Sequence, residues 1–285
     1  MDALETRELA YFVMVAEELH FGRAAERLGI AQPPLSRAIK QIEQRLGVTL
    51  LERSSRKVTL TSAGAVLLHE GRKALDAVAA AGRRAQRAGQ QEPRLVVVLK
   101  PGGDSGLLGE ILSAYAEEPD SVPVEVLVCG IGEQAGILRD GRADVGILQR
   151  PYDDLSGFDT EELRAEGAVA VLPVGHRLAG ERDLIMADLA GEPLPRWPGM
   201  SAEDAAGPLV RDSGQLLQLI ALGQAVAVMP DSVRRHLTDD LVAVPVLDGP
   251  VTTILVAWPE RSRSRAVAAF VRAATSERAL LAAVR

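Results

Sequence analysis

Residues 30–64 read IAQPPLSRAIKQIEQRLGVTLLERSSRKVTLTSAG, and this stretch decides how the N-terminal third of the chain folds. Pro33 and Pro34 suit the first turn of a helix, because the amides there have no intrahelical partner to lose. The spacing therefore predicts a helix that starts with them and stops at Gly47. Leu35, Ile39, Ile42 and Leu46 recur at helical intervals as its buried stripe. Ser36, Arg37, Lys40, Gln41 and Gln44 share the opposite face, all hydrogen-bond donors with no acid among them. Beyond Gly47, VTLLER and KVTL are β-prone runs flanking Ser54-Ser55-Arg56, which reads as a hairpin with a basic tip. Thr61 then stands as the N-cap of a further helix.

Upstream, Leu9, Phe12, Val13, Val15, Ala16 and Leu19 mark a first helix from about Thr6 to His20, which Phe21 and Gly22 break. Ala24, Ala25 and Leu28 form one side of a short second helix ended by Gly29. Helix, short helix, turn, polar-faced helix and basic hairpin together make a winged helix-turn-helix. Its polar helix fits the major groove of duplex DNA, where Gln, Ser, Arg and Lys reach base edges and phosphates. A small helical cap or dimerisation arm is the bland alternative.

Taken as an average, composition opposes that reading. The 285 residues carry 32 Lys and Arg against 39 Asp and Glu, a net charge of −7, with aromatics at only 3%. The average conceals a division at Pro93. Residues 1–93 hold 14 basic and 11 acidic side chains, net +3, and the remainder holds 18 and 28, net −10. An apolar fraction of 47% provides for a packed core. The lone Cys129 and the scattered His20, His69, His176 and His236 exclude a disulfide scaffold and give no zinc-type spacing, so no metal or cofactor is expected. The polar start MDALETREL is unlike a signal peptide, and no apolar run reaches membrane-spanning length, so a cytoplasmic location is expected.

From Thr61 to about Gly89 runs a long Ala- and Leu-rich helix whose stripe of Leu67, Leu68, Gly71, Leu75, Val78, Gly82 and Ala85 suits close helix-on-helix contact. Gly89-Gln90-Gln91-Glu92-Pro93 ends it and marks a domain boundary. Beyond it RLVVVLK, PVEVLVC, ADVGIL, AVAVLP, QAVAVMP, LVAVPV and TTILVAWP alternate with helical segments, an α/β pattern with a mostly parallel sheet.

The runs Leu9-Ala10-Tyr11-Phe12-Val13 and Ala24-Ala25-Glu26-Arg27-Leu28, the block at 30–64 and the long helix after it resemble the N-terminal region of LysR-type transcriptional regulators. EILSAYAEE, Val124-Glu125-Val126, LRDGRADVGIL and LGQAVAVMP resemble the family's effector-binding region, which has the fold of periplasmic binding proteins. The resemblance implies a winged helix-turn-helix at 1–60, a linker and dimerisation helix at 61–92, and an effector-binding domain at 93–285. That last domain divides into subdomain I, about 94–165 with 248–285, and subdomain II, about 166–247. It further implies double-stranded DNA and a small-molecule effector as partners, and assembly to a homodimer and homotetramer.

Carried over position by position, DNA contacts fall on Gln32, Pro33, Pro34, Ser36, Arg37 and Lys40, with Arg56 at the wing. Effector-binding positions fall on Lys100, Gly103, Asp104, Ser105, Ile131 and Gln149. The loop Lys100-Pro101-Gly102-Gly103-Asp104-Ser105-Gly106 opens a helix whose amides and Ser105 hydroxyl could receive an anion. Ile131 stands where the family often has Ser or Thr to hold a carboxylate, a departure that favours a more apolar ligand. WPGMSAEDAAG, between Ala190 and Val210, is too short for the family's usual helix there, which trims the second subdomain.

Four competing readings are weaker. GDSG at 103–106 matches the surroundings of a protease nucleophile, but no histidine sits in a motif that would make it a base. A plain solute-binding protein would need a signal peptide. Cys129 lacks a second cysteine to resolve a sulfenic acid, so it reads as a small hydrophobe rather than a redox sensor, and the run Arg261–Arg265 reads as a solvated loop.

Overall fold

A computed structural model describes residues 4–53, 57–89, 92–197, 207–260 and 262–276. Arg56 and Arg261 lie outside the described residues, as does most of the segment expected to trim the second subdomain. The chain divides into two compact units, Met1–Ala85 and Gln86–Arg285.

In the first unit α1 (Thr6–Glu18), α2 (Phe21–Leu28) and α3 (Gln32–Leu46) are followed by a hairpin of β1 (Leu51–Arg53) and β2 (Val58–Leu60) and by α4 (Ser62–Ala88), which runs on into the second unit. Phe12, Ala24, Leu35, Ile39 and Ile42 are fully buried where the first three helices meet. The break after α1 falls earlier than the sequence suggests. Leu19 takes the left-handed region at φ 46°, and the Nδ1 of an extended His20 accepts the Arg23 amide at 3.1 Å, so Phe21 and Gly22 belong to α2. Leu46 is also corrected: it is 41% exposed, because it is the last residue of the helix, before the left-handed Gly47, and its neighbour Arg45 turns back to Glu8 on α1.

A threonine cap and two glycines hold α4 against this unit. Thr61 Oγ donates to the Thr49 carbonyl at 2.8 Å and accepts the Gly64 amide at 2.9 Å, as its capping role requires. A Cβ on Gly64 would lie 2.1 Å from the Leu50 carbonyl oxygen, and one on Gly71 would lie 2.9 Å from Leu9. The near half of the expected α4 stripe is thus used within the chain, with Leu67, Leu68 and Leu75 on the same core. Farther along, Ala74, Ala77, Val78, Ala81 and Ala85 form an exposed apolar row.

The second unit is built on two sheets. The first has the order β4-β3-β5-β10-β6, from β3 (Leu95–Leu99), β4 (Val124–Val128), β5 (Val145–Arg150), β6 (Phe158–Glu166) and β10 (Thr252–Pro259). Residues of β3 alternate between its faces as a pleated strand requires. Leu95, Val97 and Leu99 meet α5 (Leu108–Ala116) and α8 (Arg265–Ala274), while Val96 and Val98 meet α6 (Gln134–Arg139). The second sheet has the order β8-β7-β9, from β7 (Ala168–Pro173), β8 (Ala227–Pro230) and β9 (Leu241–Val246), with α7 (Ser213–Ala221) packed on Val169 and Val171. Gly167 joins β6 to β7, and residues 247–251 join β9 to β10, so the chain crosses twice between sheets.

The expectation of a mostly parallel sheet needs correction. Among the described strands β3 alone pairs in parallel, with β4 and β5; β10 is antiparallel to both neighbours, and β7 pairs antiparallel with both β8 and β9. Parallel pairing needs long crossovers, which the chain has between β3, β4 and β5, where α5 and α6 lie; in the second sheet β8 and β9 flank β7 and both run against it.

Candidate DNA interface and ligand cavity

The turn between α2 and α3 depends on Gly29, at φ 66°, and α3 begins with its two prolines in the first turn. Gln32, Pro33, Pro34, Arg37 and Lys40 are exposed and Ser36 half-buried, so six of the expected DNA contacts share one open helix face. Five other arginines of the unit are paired with acids. Arg23 and Arg27 pair with Glu18, Arg45 with Glu8, Arg53 with Glu43 and Arg72 with Glu17. Arg37 and Lys40 have no acidic partner among the described residues. Glu43, the acid of α3, is turned away: one oxygen accepts the Leu50 and Leu51 amides at 2.9 and 3.1 Å and the other meets Arg53, which ties the wing to the helix. The result is a helix with free cations and amide side chains, held rigidly and unshielded by its own acids.

In the second unit a cavity of about 480 Å³ opens between the two sheets. It lies beyond the C-terminal ends of β3 and β5, where β3 leads to one side and the next crossover returns on the other. Such a reversal of strand order leaves a crevice open to ligands. Lys100, Pro101 and Gly102 line it from the loop after β3, Ile131 and Gly132 from the loop before α6, and Gln149 and Tyr152 from the end of β5. The opposite wall comprises Trp197, the first turn of α7, Val228 to Pro230, and Ser232, Val233 and His236.

Of the sequence-derived effector positions, Lys100, Ile131 and Gln149 face this cavity, whereas Gly103, Asp104 and Ser105 do not line it. Their roles are internal. The Gly103 carbonyl accepts the Gln149 side-chain amide at 3.1 Å, and an Asp104 carboxylate oxygen accepts the Leu108 amide at 3.1 Å. That carboxylate fills the helix start expected to receive an anion. Ser105, only 1% exposed, places its hydroxyl 3.3 Å from that of Ser232, and its carbonyl accepts Arg235 at 3.1 Å. The 101–106 loop is therefore pinned across the crevice to the 3-10 turn Asp231–His236. Gly106 permits the contact, since a Cβ there would lie 2.0 Å from Arg235. A buried serine engaged in this way has no histidine base, which removes the protease-like reading.

Desolvation governs the ionisable groups near the cavity. Burial lowers the Lys100 pKa against the opposing pull of Asp153 and Cys129. Burial raises that of Asp153, which the Gln149 amide and Lys100 partly offset. The Cys129 thiol is pushed up to about 11 by burial first and then by Glu133 and Asp153. Sequence reading missed the wall formed by Tyr152, Trp197, Leu217, Met229, Ser232 and His236. Only the family-like LGQAVAVMP pointed to part of it; the rest meet from segments far apart in the chain.

A winged helix-turn-helix with an unshielded recognition helix, carried on a chain whose second unit is a two-sheet body with a ligand cavity, defines a DNA-binding regulator with a substrate-binding domain. Residues 6–65 match the bacterial regulatory helix-turn-helix protein model of the lysR family, and residues 88–279 match the LysR substrate binding domain. The chain belongs to the LysR family and is a transcriptional regulator, not an enzyme. It is 33% identical over 249 residues to the regulator AlsR of Bacillus subtilis, covering 81% of this chain and 82% of that one. It is 30% identical over 286 residues to HcaR of Escherichia coli, a Hca operon transcriptional activator, covering 94% and 96%. The solved full-length BenM has a TM-score of 0.51 at 27% identity, covering 95% of each chain; its sequence relative is BenM of Acinetobacter baylyi. Among the described residues no helix is long and apolar enough to cross a membrane, and no cluster of His, Cys, Asp and Glu could hold a metal.

Proposed function

We propose that α3 enters the major groove of a specific operator, with Gln32, Pro33, Pro34, Ser36, Arg37 and Lys40 at the DNA and Arg56 at the wing. The carrying observation is that Arg37 and Lys40 are the α3 cations left without acidic partners while the arginines around them are neutralised. Residues 1–60 serve as the DNA-binding domain, 61–92 as linker and dimerisation helix, and 93–285 as the effector-binding domain with its two subdomains. The cavity takes a small-molecule effector that contacts Lys100, Ile131 and Gln149. Two copies associate through the exposed row on α4, because one recognition helix spans few base pairs and paired half-sites need paired heads. Two such dimers make the tetramer, and the protein acts in the cytoplasm, where its DNA is.

Footprinting of the region upstream of its own gene tests the reading; absence of a protected site at moderate salt defeats it. Arg37→Ala is expected to weaken operator binding by about 1–3 kcal/mol if the side chain reads a base. Equal loss on operator and random duplex, with a shallower salt dependence, assigns it to phosphate instead.

A further inference from the structure

We propose that the cavity takes an uncharged aldehyde with an apolar body and that the Lys100 amine captures it as an imine. The inference rests on the reading of the cavity as the effector site and specifies the chemistry that occurs there.

Residues 94–285 hold 17 arginines and one lysine, and that lysine, Lys100, lines the cavity. A guanidinium serves better than an ammonium where a cation must hold a carboxylate or phosphate in fixed geometry, but it does not deprotonate. A lysine can give up its proton and become a nucleophile. The surroundings of Lys100 favour that form. The residue is half-buried directly after β3, and its stem lies along Gly103, where a Cβ would stand 2.8 Å from Lys100 Cγ and 3.4 Å from Cε. Its Nζ stands 5.8 Å from the centre of the Tyr152 ring, and among the described residues no carbonyl or carboxylate lies within hydrogen-bond or ion-pair distance of it. Burial pushes the ammonium below the ordinary lysine range, with Asp153 and then Cys129 pulling the other way. Asp153 is itself pushed up by burial and gives one oxygen to the Gln149 backbone amide at 2.7 Å.

The rest of the wall suits a neutral carbonyl compound. Gln149, Ser213 and Ser232 bring uncharged hydrogen-bonding groups to it. The Gln149 side chain is engaged with the Gly103 carbonyl at 3.1 Å and the Ser232 hydroxyl stands 3.3 Å from that of Ser105, which leaves the Ser213 hydroxyl for the ligand. Ile131, Leu217, Val228, Met229 and Val233 form an apolar surface for the body, and about 480 Å³ suits a small organic molecule. In the capture step the Nζ lone pair bonds the carbonyl carbon and the carbonyl oxygen takes a proton from nitrogen. The hydroxyl so formed then leaves as water with the second N–H proton, and a carbon–nitrogen double bond remains. Amine and aldehyde thus give imine and water, with no oxidant or reductant consumed.

The test incubates the full chain at neutral pH with benzaldehyde, 4-isopropylbenzaldehyde or 3-methylbutanal and sodium cyanoborohydride, and locates the reduced adducts by peptide mass spectrometry. The other lysines, Lys40, Lys57 and Lys73, are exposed and serve as internal references. An ordinary lysine is unprotonated in fewer than about one molecule in a thousand at that pH. For at least one aldehyde, Lys100 is expected to react at least tenfold faster than any of the three, and the matching alcohol, weighed by calorimetry, to bind at least tenfold more weakly. Lys100→Arg should lose the adduct at an unchanged thermal midpoint. Labelling of Lys100 no faster than that of the exposed lysines, with every aldehyde, overturns the proposal without recourse to any variant. A cavity-filling variant, Val228→Trp, separates the two readings. Alcohols that bind as tightly as their aldehydes and are excluded by Val228→Trp, with no adduct at Lys100, preserve the effector cavity but defeat the capture. Ligand-dependent changes in operator binding that persist in Val228→Trp defeat the effector-cavity reading itself.

Discussion

Two side chains show how local environment sets chemical role. Arg37 and Arg45 belong to the same helix, yet Arg45 is spent on a two-pronged contact with Glu8 at 2.8 and 3.0 Å while Arg37 is open to solvent. Only the second keeps its charge available to phosphate or guanine. Cys129 gives the opposite lesson. Its thiol donates to the Leu99 carbonyl at 3.5 Å and is pushed up to about 11 by burial and nearby acids. At neutral pH its thiolate fraction is therefore roughly a hundredfold or more below that of a free cysteine. Alkylation by iodoacetamide and oxidation by peroxide should be correspondingly slow in the native chain and become ordinary in urea; rapid native modification would contradict this.

At the level of elements, the junction between wing and α4 has little room. Gly64→Ala would force a Cβ against the Leu50 carbonyl, a backbone atom that cannot swing aside. Overpacking of this kind typically destabilises by about 1–3 kcal/mol, so urea unfolding of the variant should show a lower midpoint. The contact between α3 and α1 carries a pH signature. Arg45, through its hydrogen bonds above all, holds the Glu8 carboxyl below its ordinary range. A carboxyl with a lowered folded-state pKa stabilises the fold above its unfolded pKa, and that stability fades as pH falls through the folded value. Stability measured from neutral to acid pH should therefore decline less in Glu8→Gln than in the parent chain, and parallel declines would exclude the contribution.

For the molecule as a whole, the separation of charge matters more than its sum. The N-terminal residues 1–93 are net positive and the rest strongly negative, so the acidic body opposes DNA while a small basic helix face attracts it. Weak single contacts of this type gain affinity when two are linked. Val78, 53% exposed in the apolar row of α4, is where that linkage is testable. Val78→Glu should shift sedimentation toward the monomer and lower operator affinity together, leaving helical content unchanged; an unaltered assembly would move the interface elsewhere.

The sequence by itself determined the head: periodicity, paired prolines, terminating glycines and the Thr61 cap are local signals, and helices with short connections are governed by local physics. It also determined the α/β character of the body and, through resemblance, its family. Leu46 and the start of α2 escaped it because exposure and capping depend on what neighbouring elements occupy. Tertiary structure alone decided the strand directions, which follow from how the chain returns between sheets. It alone decided that Asp104 and Ser105 serve the loop while Lys100, Ile131 and Gln149 face the cavity with a wall drawn from Tyr152 to His236. Those residues are brought together by two crossings between sheets, and no spacing along the chain records which side chains then lack a partner.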